Sequence, residues 1–211
     1  MALIVQKYGG SSLRTPNHIR AAADRIRILK NEGNEVVAVV SAMGRMTDYL
    51  IRLAERTVAQ PPQRELDMLM TAGERVSMAL LAMALEEGGV SAISFTGSQG
   101  GILTTSDHNE ARIVEIRCLR IQQELNRGRV VILAGFQGVS RDKEVTTLGR
   151  GGSDTSAIAL AAALGAHRCD ILTDVDGLFS ADPRLVATAR LLPQLSYNDG
   201  VFHCLSLCLI D

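Results

Sequence analysis

The sequence predicts an α/β fold in which a mostly parallel β-sheet is covered by helices on both faces. Three observations lead there. Short, fully apolar runs such as Val36–Val40 and Val130–Ala134 alternate with longer stretches of helical period. The apolar runs deliver loops of glycine, serine and threonine. No internal repeat or low-complexity linker divides the 211 residues, a length that suits one domain. Right-handed crossovers would then gather the strand-end loops on one edge of the sheet.

In chain order, Ala2–Gln6 reads as a buried strand that runs into Lys7-Tyr8-Gly9-Gly10-Ser11-Ser12. Two glycines there let backbone N–H groups approach phosphate oxygens, and Lys7 adds a point charge. The Gly-x4-Gly-Lys spacing of a Walker A loop is absent, and a plain strand-to-helix turn with a solvated lysine fits the segment equally well. Asn17–Asn31 is an amphipathic helix ended by Gly33. Glu35–Val40 is an apolar strand that stops at Ser41-Ala42-Met43-Gly44. Thr47 and Asp48 open a helix to about Ala59, which Pro61 and Pro62 break.

Arg64–Glu87 is the longest helical pattern, interrupted by glycine in Thr71-Ala72-Gly73-Glu74-Arg75. A mid-helix glycine costs about 1 kcal/mol relative to alanine. Either something packs close to Gly73, or a helix begins there and Glu74 faces a site; a surface Glu–Arg pair is the other reading. Ala92–Phe95 reads as a short strand, Gly97–Thr105 as a loop, Ala111–Gly128 as a helix and Val130–Ala134 as a strand leading to Gly135-Phe136-Gln137-Gly138. Asp142–Thr147 reads as a polar hairpin or excursion.

Thr147–Ser156 (Thr-Leu-Gly-Arg-Gly-Gly-Ser-Asp-Thr-Ser) then opens the helix Thr155–Leu164, which is apolar nearly all round and so expected to be buried. Glycines, a helix N-terminus and Arg150 together suit a carboxylate or phosphate; an isolated loop of this kind is also simply a capped turn. Arg168–Leu172 is a strand that delivers Thr173-Asp174-Val175-Asp176-Gly177, then Phe179 and Asp182-Pro183-Arg184. The threonine and the two aspartates at the strand end could hold a ribose, a base edge or a metal-bound water, and Arg184 could reach a phosphate; as isolated residues they are more often turn and cap residues.

Composition narrows the function classes. A net charge of −1, 3 % aromatic residues and no tryptophan offer no nucleic-acid footprint. No apolar run reaches a membrane span and the N-terminus lacks a signal-peptide pattern, so the expected location is the cytoplasm. The cysteines, Cys118, Cys169, Cys204 and Cys208, form no CxxC pair. His203 with Cys204 and Cys208 is a weak metal signal, and no metal ligand is assigned. Reduced thiols are the expectation.

Taken together, Lys7–Ser12, Ser41–Gly44, Thr71–Arg75, Thr147–Ser156 and Thr173–Arg184 resemble, in order and spacing, the motifs of the aspartate kinases of the amino-acid kinase superfamily. The resemblance covers about residues 1–198. It implies a three-layer αβα sandwich and transfer of the ATP γ-phosphate, with Mg²⁺, to the side-chain carboxylate of L-aspartate. The product, 4-phospho-L-aspartate, leads toward lysine, threonine, methionine and diaminopimelate. The resemblance implies Lys7 and Asp154 as catalytic residues, Asp154 orienting Lys7. It implies a nucleotide side formed by Lys7, Tyr8, Gly9, Gly10, Ser41, Thr173, Asp174, Phe179 and Arg184. On the substrate side it implies Thr47, Glu74, Arg150, Gly151, Gly152 and Ser153, with Glu74 on the ammonium and Arg150 on the α-carboxylate. Homo-oligomers, or association with full-length subunits, are the expected partners.

After Ser196-Tyr197-Asn198 the resemblance stops. Residues 199–211 read as a divergent tail, with Leu209 near where the family carries a lysine. The expectation is a kinase domain incomplete at its C-terminal side and without ACT regulatory domains, hence insensitive to lysine or threonine. A catalytically weak or inactive product that binds nucleotide or aspartate is the alternative.

Overall fold

The structure is a computed structural model that describes residues 1–149, 151–173, 180–181, 185–186 and 188–190. Residues 1–173 form one compact unit. In the second unit, which begins at Asp174, Ser180 N–H donates to the Arg190 carbonyl at 2.9 Å and Arg190 N–H to Ser180 Oγ at 3.0 Å. The expected tail, 199–211, lies outside the described residues.

The main sheet has five parallel strands. These are β1 (Leu3–Tyr8), β2 (Glu35–Val40), β3 (Ala92–Phe95), β6 (Val130–Ala134) and β9 (Arg168–Leu172), in the order β3-β6-β2-β1-β9. Their side chains alternate between two cores, as strand geometry requires. Val36, Ala38 and Val40 of β2 pack with Ile132 and with the buried stripes of α1 (Pro16–Asn31) and α3 (Gln63–Glu87). Val37 and Val39 pack on the opposite face with Leu133, α4 (Leu119–Asn126) and α5 (Gly152–Leu164). Helices therefore cover both faces, and the architecture is the expected three-layer αβα sandwich.

The second sheet was not foreseen. It joins β4 (Ile102–Thr104), β5 (Ile113–Ile116), β7 (Gln137–Val139) and β8 (Val145–Thr147) in the order β5-β4-β7-β8. Two expectations are corrected here. The loop assigned to 97–105 contains β4, and the helix assigned to 111–128 is β5 followed by α4. The β-branched run Ile113-Val114 and Ile116 suits a strand, and β5 pairs antiparallel with β4. The polar excursion before Thr147 is the β7–β8 hairpin.

The helix after β2 is α2 (Met46–Thr57). By length and composition α3 could cross a membrane. Its buried stripe nevertheless carries Asp67, Thr71, Glu74 and Ser77, which marks the core helix of a folded domain. The helix runs unbroken through Gly73 rather than starting there. A side chain at Gly73 would bring its Cβ to 2.7 Å from Ala42 Cβ, so close packing is the reason for the glycine.

Candidate functional site

The strand alternation decides which early residues reach the site. Val5 belongs to the core shared with α5, so Lys7, two residues on, points to the same side of the sheet. Asp154 lies in the first turn of α5, one turn before the buried Ala157. Lys7 Nζ and Asp154 Oδ1 meet there at 2.7 Å, with the lysine side chain only 11 % exposed. An acidic residue in a helix's first turn is also favoured by the helix dipole.

Tyr8 falls on the other face. Its ring is buried in the core against α1, and its hydroxyl donates to Gln6 Oε1 at 2.8 Å. Burial pushes the phenol above its usual range. Alternation sends the Tyr8 side chain into the core, which leaves its backbone for the expected nucleotide contact. Gly9, expected to present its N–H to a phosphate, has that N–H engaged in the sheet. Its N–H donates to the Leu172 carbonyl at 3.2 Å, extending the β1–β9 ladder by one bond.

Beyond the carboxyl ends of the strands lies a cleft of about 1200 Å³, where open α/β sheets bind ligands. Lys7, Gly10, Ser41 and Thr47 line one part of it, Glu74 another, and Gly151, Gly152, Ser153 and Asp154 the start of α5. Gly10 joins two strand-end loops: its carbonyl accepts from Gly44 N–H at 2.9 Å. A Cβ at Gly10 would lie 2.9 Å from both the Ala42 and Gly44 carbonyl oxygens.

Glu74 is the electrostatic anomaly. It is 3 % exposed. Oε1 accepts from Ala42 N–H at 3.3 Å, and Oε2 is buried with no hydrogen-bond partner. Burial pushes its carboxyl from 4.5 up to about 7, with backbone N–H groups opposing that shift. A buried carboxylate without a cation is costly, and a cationic ligand group would relieve that cost.

Of the remaining expected site residues, Thr173 follows β9 and is not among the cleft-lining residues. Arg150, Asp174, Phe179 and Arg184 lie outside the described residues, although Gly149 and Gly151 on either side of Arg150 line the cleft.

The cleft also holds Met70, Asn109 and Arg112, which sequence reasoning missed, and Phe136 from the strand-end loop 135–138. Phe136 has φ 65°. Its N–H donates to Ser156 Oγ at 3.1 Å, and its carbonyl accepts from Leu148 N–H at 2.9 Å. Asn109 also has φ 65°, and its Oδ1 is buried without a partner. The signal that could have found Asn109 was the β-branched run Ile113-Val114, which marks a strand within the expected helix 111–128 and so a strand-joining loop at 105–112.

Known proteins place this geometry in context. The aspartokinase of Mycobacterium bovis is 59 % identical over 200 residues, which are 94 % of this chain and 48 % of that protein. The chain thus spans about half the length of the curated relatives it matches. The crystal structure of aspartate kinase from Synechocystis superposes with a TM-score of 0.79 at 49 % identity, covering 92 % of this chain and 32 % of that one. That of E. coli aspartokinase III in complex with aspartate and ADP superposes with a TM-score of 0.79 at 28 % identity, over 90 % of this chain and 53 % of that one. The family model described as the amino acid kinase family matches residues 2–200, nearly the whole sequence. With its parallel sheet between two helical layers and its cleft at the strand ends, the chain belongs to the amino acid kinase family.

Proposed function

We propose that this chain carries the phosphoryl-transfer core of an aspartate kinase. The reaction is ATP and L-aspartate giving ADP and 4-phospho-L-aspartate. One observation carries the reading: a single cleft holds both a cation anchored by a carboxylate, Lys7 on Asp154, and a buried carboxylate lacking a cation, Glu74. A polyphosphate calls for the first and an amino-acid ammonium for the second. The E. coli relative captured with aspartate and ADP supports the pairing of ligands.

The aspartate side-chain carboxylate is ionised at neutral pH, so it needs no strong general base. Its oxygen forms the new bond to the γ-phosphorus as the bond to the β–γ bridging oxygen breaks and ADP leaves. Positioning and charge stabilisation dominate such a step. Lys7 and the N-terminus of α5 offset the charge of the transferring group. Asp154 holds Lys7 in place. Gly10 and Ser41 stand on the phosphate side, and Thr47, Gly151, Gly152 and Ser153 on the amino-acid side. Arg150 would take the α-carboxylate through two parallel hydrogen bonds, and Thr173, Asp174, Phe179 and Arg184 would complete the nucleotide side. Among the described residues no group of three or more His, Cys, Asp or Glu side chains stands ready to hold a metal. In this reading Mg²⁺ accompanies ATP and offsets the charge of its phosphates. The product would enter lysine, threonine, methionine and diaminopimelate synthesis in the cytoplasm.

The test is ADP release that depends on both aspartate and Mg²⁺. Lys7→Ala is expected to lower it by roughly 10²–10³-fold, the loss typical of removing one group that stabilises transition-state charge. Nucleotide binding without turnover would favour the binding-only alternative.

A further inference from the structure

A second buried carboxylate lies on α3 and takes no part in the chemistry above. Asp67 is fully buried, yet it is saturated. His108 Nδ1 stands 2.7 Å from Oδ2, Asn109 N–H donates to both carboxylate oxygens at 3.2 Å, and Thr147 Oγ1 donates to Oδ1 at 2.5 Å. A carboxylate only accepts, so His108 must carry a proton on Nδ1. The three donors come from two segments far apart in sequence, and Ala111 N–H closes the ring by donating to the Thr147 carbonyl at 2.9 Å.

Both segments then become cleft wall. Asn109 and Arg112 line it on one side of this knot, and Leu148 and Gly149 line it where β8 leads into the glycine-rich loop. Asn109 is held in a left-handed conformation that a free chain seldom populates, and the Asp67 carboxylate receives its amide. Its buried, unpartnered Oδ1 is thereby kept ready for a donor that a ligand brings.

We propose that Asp67 and His108 are a positioning pair that fixes Asn109 and the entry to the 147–153 loop for the amino-acid substrate. This rests on the functional reading above. The pair acts through the residues it holds, so its loss falls on amino-acid binding rather than on nucleotide binding or the chemical step.

The test is a comparison of His108→Ala, His108→Asn and the unaltered chain. The Asn side-chain amide nitrogen can take the place of Nδ1, so His108→Asn is the conservative rescue. Expected for His108→Ala is a rise of roughly 5- to 100-fold in KM for aspartate, from one donor lost to a buried carboxylate. The KM for ATP should stay within about twofold and kcat within about threefold, and His108→Asn should recover most of the loss. Amide hydrogen exchange supplies a readout independent of turnover: in His108→Ala, Asn109 and residues 145–149 exchange faster while Val36–Val40 stay protected. Equal rises in both KM values, accelerated exchange throughout the main sheet, or unchanged exchange at Asn109 would each overturn the proposal. If the unaltered chain does not phosphorylate aspartate, the functional reading fails. The exchange pattern still decides the pair, local deprotection supporting it and none refuting it.

Discussion

Asp67 and Glu74 stand seven residues apart on the same buried stripe of α3, about two helical turns, yet their surroundings treat them oppositely. Asp67 receives donors from His108, Asn109 and Thr147. Glu74 receives one backbone N–H on Oε1 and nothing on Oε2. A carboxylate saturated by the chain itself serves the fold. One left short of donors, at the wall of a cleft, is held for something that is not part of the chain. Two positions of one helix stripe thus divide between holding the cleft wall and receiving what enters it.

The largest effect that can break this contrast is at the saturated end. Asp67→Ala strands three donors and is expected to cost about 3–5 kcal/mol, the range for removing one partner of a buried ionic network. Chemical denaturation would show it as a lower midpoint. A loss under 1 kcal/mol would mean that Asp67 is no anchor.

At the other end the contrast shows in pH dependence. The folded chain keeps the Glu74 proton to about pH 7, whereas an unperturbed glutamate releases it near 4.5. Between those values the folded state binds more protons, so stability falls as pH rises, by about 3 kcal/mol in total, and levels off above pH 7. Denaturation at pH 5 and pH 8 measures the slope, which Glu74→Gln should flatten. An ammonium ligand reverses the preference, so aspartate should bind more tightly as pH rises through 7.

Glu74→Gln should also weaken kcat/KM for aspartate by about 100-fold, or about 2.7 kcal/mol, without lowering stability at pH 8. Stability and activity falling together would place Glu74 with Asp67. The smallest effect is at Gly73. Alanine there gains about 1 kcal/mol of helix propensity but presses its Cβ against Ala42, and overpacking costs about 1–3 kcal/mol. A net loss of about 1 kcal/mol and a weaker affinity for aspartate are expected, because Ala42 N–H is the donor to Glu74.

The centre of the main sheet was legible because Val36–Val40 and Val130–Ala134 are short apolar runs rich in β-branched residues, whereas the apolar runs of the helices, Met78–Leu85 and Ala157–Leu164, are longer and built mainly of Ala, Leu and Met. The second sheet was not. Ile102–Thr104, Gln137–Val139 and Val145–Thr147 are three residues each, too short to display a period. Ile113–Ile116 sits among charged residues that extend the apparent helix of 119–126. The ion pair of Lys7 with Asp154 was implied by the family resemblance; alternation along β1 accounts for the face on which Lys7 meets α5, and the same rule, applied one residue later, turns the Tyr8 ring away from it. Asp67 was hidden for a different reason: what keeps it in the core is supplied from positions 108, 109 and 147, and only the folded topology brings them to it.

The bond between Gly44 N–H and the Gly10 carbonyl has a mechanical meaning. The turn after β1 and the turn after β2 have no slack between them, since not even a methyl group fits at Gly10. A displacement of the first turn beside Lys7 would press Gly10 against the Ala42 and Gly44 carbonyl oxygens. Ala42 in turn carries the amide that steadies Glu74. The turn beside Lys7 and the amide that steadies Glu74 are thus packed as neighbours, and a residue larger than glycine at position 10 is expected to disturb both.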